Sequence, residues 1–218
     1  MAVTQPIRNN EDIIALTNYY LNLKQYRNHV LIVLCINTAL RISDILSLTW
    51  DDVYDFKRAC FRNSIDIFEG KTKKSKIIAL NQSVTDALEQ LALEFLHSGN
   101  PIIMNKRTGF AISRVHAFRI VRSAGEFIGL PYHISPHSLR KTLGYHSWKN
   151  NVGELVLSEL FNHSSTATTR RYLGITQDDL DAVLMGLDYS DSNVNKSKNK
   201  EVEKEITINL NCVLVMLL

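Results

Sequence analysis

The strongest constraint on the fold is an apolar run, Val30-Leu31-Ile32-Val33-Leu34-Cys35-Ile36, inside the segment Tyr26 to Leu40. A surface helix shows one apolar stripe. This segment is apolar on most sides, which is the pattern of a helix enclosed by others. The run is far shorter than the ~18 to 20 residues a membrane-spanning helix needs, and no other stretch reaches that length. The enclosing surface must therefore come from the rest of the chain. With 218 residues, 45% of them hydrophobic and 22% charged, the chain suffices for one domain with a real core.

The enclosed helix ends at Leu40-Arg41, and Ser43-Asp44 starts a short helix through Leu48. An arginine directly after a buried helix is costly unless it is paired or aimed at a ligand. Asp44, three residues on, is placed to orient it.

The neighbouring segments read mainly as helices. Residues 1–10 read as a flexible arm. Asn10 with Glu11 and Asp12 marks a helix start, and Ile13, Leu16, Tyr20 and Leu21 give that helix an apolar face. From Val53 to Leu80 the texture changes. Ala59, Phe61, Ile65 and Ile67 alternate around turn-prone residues, then Gly70-Lys71-Thr72-Lys73-Lys74 precedes Ile77-Ile78-Ala79-Leu80. That is the pattern of a small antiparallel sheet with a lysine-rich hairpin tip. Val84, Leu88, Leu91 and Phe95 return to helical spacing, and Ile102-Ile103 reads as a further strand. A basic amphipathic helix spans Ser113 to Ile128. Pro136 suits the first turn of the next helix, and Val152 to Phe161 forms another. Thr176 followed by Asp179 starts a last one, with Leu180, Val183, Leu184 and Leu187 on its face. The fold class is mainly α with a small antiparallel β-sheet. Residues 189–205 are polar and read as a linker. Residues 206–218 form an apolar tail suited to docking on this or an adjacent domain.

The net charge of +3 decides little by itself. The local clusters Lys71 to Lys76 and Arg170-Arg171 suit either solvent or a polyanion. Cys35, Cys60 and Cys212 are odd in number and lack CxxC spacing, which points to a reducing compartment without a zinc site. The N-terminus lacks the apolar core of a signal peptide. A cytoplasmic location follows as the expectation.

Chemistry concentrates in Leu160 to Ile175, which reads LFNHSSTATTRRYLGI. Tyr172 follows His163 by nine residues. A tyrosine hydroxyl with its ordinary pKa of about 10 is a poor nucleophile, and a lone tyrosine is more often a half-buried aromatic than a reactant. It becomes effective where cationic donors surround the group it attacks, as at a phosphodiester. Such donors are available: Arg41, the hairpin lysine Lys71 (or Lys73), and the pair His137 and Arg140, whose i, i+3 spacing puts both on one helical face. His29, His97, His116, His133 and His146 fall outside this pattern. Trp50 and Trp148 read as packing residues.

The ordered set Arg41, Lys71, His137, Arg140, His163, Tyr172 resembles that of the tyrosine recombinases, or phage integrases. So do the words TALRISDILSLTWDDV, SPHSLRKTLGYH and NHSSTATTRRYL. The likeness spans roughly residues 10 to 188 and implies a catalytic domain over 1–188. It implies that Tyr172 attacks the scissile phosphate and leaves a 3′-phosphotyrosine bond. Arg41, Arg140 and His163 would bind the non-bridging oxygens. His137 would serve as general base, and Lys71 as general acid toward the 5′ hydroxyl. The expected partners are double-stranded DNA, further copies of the chain in a tetramer on DNA, and accessory DNA-bending proteins. No cofactor or metal is expected. The function implied is site-specific DNA recombination for a phage or other mobile element. The alternatives are a type IB topoisomerase-like relaxing activity and a non-cleaving DNA-binding regulator. Two departures stand out. Asn162 replaces the glycine usual before the third-motif histidine. The chain also starts almost at the catalytic domain, where relatives carry a further DNA-binding domain, so a weak grip on a lone duplex is expected.

Overall fold

A computed structural model describes residues 4–68, 70, 75–175 and 177–186. Its centre is the predicted enclosed helix, α2 (Tyr26–Asn37), in which every residue from Asn28 to Ile36 is buried. Three helices enclose it: α1 (Asn10–Asn22), α5 (Gln82–Phe95) and α7 (Pro136–Lys149). Cys35 lies wholly within this core, and burial pushes its thiol up to about 12, so it behaves as a small hydrophobe. Trp50 is fully buried and Trp148 packs beside Tyr145, both as packing residues.

The chain leaves α2 sharply. Thr38 caps it, Ala39 takes a left-handed φ of 53°, and Arg41 becomes the N-cap of α3 (Ile42–Ile45). The short helix therefore ends earlier than Leu48. After α4 (Trp50–Val53), the β region consists of two separate antiparallel pairs. Strand β1 (Tyr54–Asp55) pairs with β2 (Cys60–Phe61), and β3 (Ser64–Phe68) pairs with β4 (Ser75–Ala79) in the register Ile65 opposite Ile78. Ile65, Ile67 and Ile78 face the core, and alternate residues face water.

Ile102 and Ile103 form no strand. They bond singly, Ile102 N–H to Leu48 and Ile112 N–H to Ile103, in a turn flanked by isolated bridges. Both are buried, so they supply core rather than sheet.

Helix α6 (Arg114–Phe127) starts at the Ser113 cap and buries Ala117, Ile120, Val121 and Ala124. The helix α7 has Pro136 in its first turn and a reciprocal cap between Ser135 and Ser138. Two short helices follow, α8 (Glu154–Leu160) and α9 (Thr166–Leu173), the latter ended by Gly174 at φ 68°. The contacts divide the chain after Gly174, and beyond that point α10 (Gln177–Gly186) is a helix described by itself. The expected boundaries near 188 and 205, the linker and the apolar tail lie outside the described residues.

Residues 4–8 are not a loose arm. Ile7 is fully buried, its N–H donates to Thr142 Oγ1 (2.9 Å) and its carbonyl accepts from His146 Nε2 (2.9 Å). The first helix begins directly after this strap, capped by Asn9 rather than Asn10.

Candidate active site

The corner between α2 and α3 places Arg41, half-buried, and exposes the Ala39 carbonyl inward. Arg140, on the buried face of α7, donates from Nε to that carbonyl (2.7 Å) and from a terminal nitrogen to the Phe161 carbonyl (3.2 Å). Its guanidinium is thus fixed by two separate backbone corners. A buried arginine held in this way keeps its planar fork pre-organised. The same guanidinium lies 5.0 Å from the Phe161 ring centre and 5.7 Å from that of Tyr172.

His137 stands one turn before Arg140 and is exposed. Its ring meets that of Tyr172 edge-on, with centres 5.0 Å apart. His163 approaches the same tyrosine from another side, 4.8 Å away at 73°. Its Nδ1 bonds to Thr169 Oγ1 (3.0 Å), one turn before the tyrosine on α9. The residue before it, Asn162, has φ 52°. Glycine is free to take that conformation and asparagine tolerates it better than most residues, which accounts for this departure from the usual glycine.

Burial holds the His163 imidazole at about 4, and the positive charges of Arg140 and Arg41 add to the effect. The ring is therefore neutral near pH 7. Burial raises the Tyr172 hydroxyl above its ordinary value, offset in part by Arg140 and Arg41. That hydroxyl is sheltered from water, and among the described residues no partner meets full hydrogen-bond geometry. Arg140 is near enough to act on it by charge and a loose hydrogen bond. Arg41, Arg140, His137, His163 and Tyr172 are thus brought into one cluster.

Lys71 and Lys73 lie outside the described residues. The described residues on either side of them are tied to the site. Asp44, which the spacing suggested as a partner for Arg41, accepts the Gly70 N–H at Oδ1 (3.3 Å). Lys76 of β4 donates to the Leu160 carbonyl at the end of α8. Arg170 is paired with Glu154 (2.7 Å), and Arg171 is exposed.

Sequence reasoning missed three contributors. Phe161 stacks on His163 and meets the Tyr172 ring at a tilt of 50°. Thr169 holds His163. Lys141, next to Arg140, is buried with its Nζ 5.4 Å from the Tyr172 ring centre. Only Lys141 carried a signal, a cation beside the HxxR pair. Among the described residues no group of three or more His, Cys, Asp or Glu could hold a metal ion, and no helix is long and apolar enough to cross a membrane.

The phage integrase family model matches residues 8–178. The chain belongs to the phage integrase family. Its match to this family takes in every residue of the cluster. The probable integrase/recombinase YoeC of Bacillus subtilis is 36% identical over 178 residues, covering 82% of this chain and 93% of that protein. Tyrosine recombinase XerD of Corynebacterium glutamicum is 30% identical over 165 residues, covering 73% of this chain and 52% of that protein. The chain thus spans nearly all of the first relative and about half of the second. Among solved structures, XerA recombinase matches at TM-score 0.69 and 17% identity, over 85% of this chain and 65% of that one. A lambda integrase dimer bound to a core site matches at 0.61 and 17%, over 79% and 60%. These likenesses carry the fold: a mainly helical tyrosine recombinase catalytic domain with small antiparallel sheets. As a phage integrase family member, the chain is a tyrosine recombinase, an enzyme that breaks and rejoins DNA.

Proposed function

We propose that this recombinase cuts and rejoins DNA at specific sites of a phage or other mobile element, through a 3′-phosphotyrosine intermediate made by Tyr172. The observation that carries the reading is the Tyr172 ring set between His137 (5.0 Å) and His163 (4.8 Å) with the Arg140 guanidinium beside it. XerH, a site-specific recombinase of the same fold at 20% identity, has been solved with its difH substrate after cleavage, and the Tn1549 transposon integrase with circular intermediate DNA.

The chemistry follows from the residues. The phosphate enters between Arg41 and Arg140, whose forked donors bind its non-bridging oxygens. Tyr172 attacks phosphorus in line. Its hydroxyl proton passes to His137, the group beside it that is open to solvent and able to accept. The P–O bond to the 5′ oxygen breaks, and that oxygen takes a proton from Lys71 on the hairpin. His163 is neutral before DNA arrives. Burial chiefly keeps it so, and with Nδ1 accepting from the Thr169 hydroxyl its Nε2–H is the donor toward a non-bridging oxygen. The ester is conserved as Tyr172–phosphate, which a new 5′ hydroxyl reverses. Synapsis of two DNA sites then calls for further copies of the chain, in a tetramer on DNA, with accessory DNA-bending proteins.

Tyr172→Phe tests the reading. On nicked suicide DNA bearing the element's end, the wild-type chain forms an adduct that resists sodium dodecyl sulfate, and the variant forms none. An adduct from the variant would overturn the assignment.

A further inference from the structure

We propose that Arg8, through the N-terminal strap of residues 4–8, is a positioning residue for the helix that carries Tyr172. The inference rests on the reading of Tyr172 as nucleophile and adds a device that places it.

Helix α9 has only eight residues and ends at Gly174. The last carbonyls of a helix have no partner within it and favour a cation. Arg8 supplies one: a terminal guanidinium nitrogen donates to the Gly174 carbonyl (2.9 Å). The guanidinium also lies 4.9 Å from the ring centre of Tyr145 on α7. Pro6 packs against the same terminus, so close that a Cβ added at Gly174 would lie 3.3 Å from its Cδ. The strap is itself anchored along α7. Lys141 Nζ donates to the Thr4 carbonyl (2.8 Å), Thr142 Oγ1 accepts the Ile7 N–H, and His146 bonds the Ile7 carbonyl.

Helix α7 carries His137 and Arg140, and α9 carries Tyr172 two residues before Gly174. The strap therefore fastens the end of one helix to the length of the other. Among the described residues, the Tyr172 hydroxyl has no well-formed hydrogen bond to fix its place. Its position depends on where the α9 backbone sits. Lys141 joins both parts, bonded to the strap and lying over the Tyr172 ring. Misplacing a reacting group by about 1 Å can cost roughly 100-fold in rate.

The test measures single-turnover adduct formation at saturating protein on suicide DNA, for the wild type, Arg8→Ala, Arg8→Lys and Thr142→Val. A second substrate has sulfur in place of the 5′ bridging oxygen, so its leaving group needs no acid. We expect Arg8→Ala to slow adduct formation about 10-fold or more on both substrates, with DNA affinity unchanged. Arg8→Lys, which still reaches the carbonyl with a cation, restores most of the rate. With 3-fluorotyrosine incorporated at position 172, the fluorine resonance shifts or broadens in Arg8→Ala. Thr142→Val loosens the strap without touching Arg8 and slows the reaction in the same way, which keeps the test decisive if Arg8→Ala fails to fold. Wild-type rate and an unmoved resonance in Arg8→Ala, or in Thr142→Val where Arg8→Ala does not fold, would overturn the proposal. A slow reaction cured by the sulfur substrate would also overturn it, since the defect would then lie at the acid. Tyr172→Phe separates the two readings: an adduct from that variant removes the nucleophile assignment, whereas its absence beside a full-rate Arg8→Ala removes the strap alone.

Discussion

Replacing Tyr172 by phenylalanine removes an oxygen that is sheltered from water and poorly partnered. A buried unsatisfied polar group costs about 1–3 kcal/mol. Tyr172→Phe should therefore melt at the same temperature as the wild type or higher while losing the adduct, and differential scanning calorimetry would record it. A marked fall in melting temperature would mean that the hydroxyl is firmly bonded in solution. His163 gives a second expectation. Its folded value of about 4 lies below the ordinary 6.5. Between these values the unfolded chain binds the proton and the folded chain does not, so this group's contribution to stability falls as pH drops from about 6.5 toward 4. Urea unfolding of the wild type and His163→Gln should show a stability difference that changes with pH across that window and is constant above about pH 7.5. Ring resonances of His163 that titrate near 6.5 would contradict it. The sequence named His163 and Tyr172 because their spacing and chemistry are local. It could not reveal Phe161 or Thr169 as their neighbours, since neither residue type marks a site.

The helices were largely legible because α2 is apolar on most sides and several others carry a start signal, among them Ser113, Pro136 and the acids after Asn10. The β region was legible in type but not in division, since alternation gives the faces of strands and not which strands pair. The strap was illegible for a physical reason. Residues 4–8 form no regular element and are held by side chains from α7, more than a hundred positions away in sequence. At this scale the sharpest prediction concerns the seam between α7 and α9. A Cβ at Gly144 would lie 2.6 Å from Leu173 Cδ2 and 2.8 Å from Phe161 Cε2. Both neighbours are fully buried and cannot yield easily. Gly144→Ala should destabilise the fold by about 1–3 kcal/mol, the usual cost of overpacking. It should slow adduct formation more than any change in DNA affinity, because Leu173 adjoins Tyr172 in α9. Chemical denaturation and a single-turnover cleavage assay, run in parallel, check the two parts. An unchanged midpoint would show that the seam is looser than its contacts imply.

For the whole molecule, 25 Lys and Arg against 22 Asp and Glu leave a net charge of +3, too little for strong long-range attraction to DNA. Several of the cations are also engaged in pairs, such as Arg122 with Glu126, Arg170 with Glu154 and Lys106 with Glu94. Affinity must then come from cations placed to touch phosphates. Under the proposed function Arg41 and Arg140 would be two of them; Arg114 and Arg119 on α6 are exposed. Each such contact releases counterions, with a slope in log affinity against log salt of about −0.9 per phosphate. For about five contacts, raising salt from about 50 to 200 mM would weaken binding to a lone duplex roughly 500-fold. Fluorescence anisotropy on a short duplex across that range measures the slope directly. Arg41→Ala should lower its magnitude by about one contact, uniformly across sequences, as expected for a phosphate ligand rather than a base reader. A flat salt dependence, or an Arg41→Ala slope equal to that of the wild type, would place the grip on DNA elsewhere in the molecule.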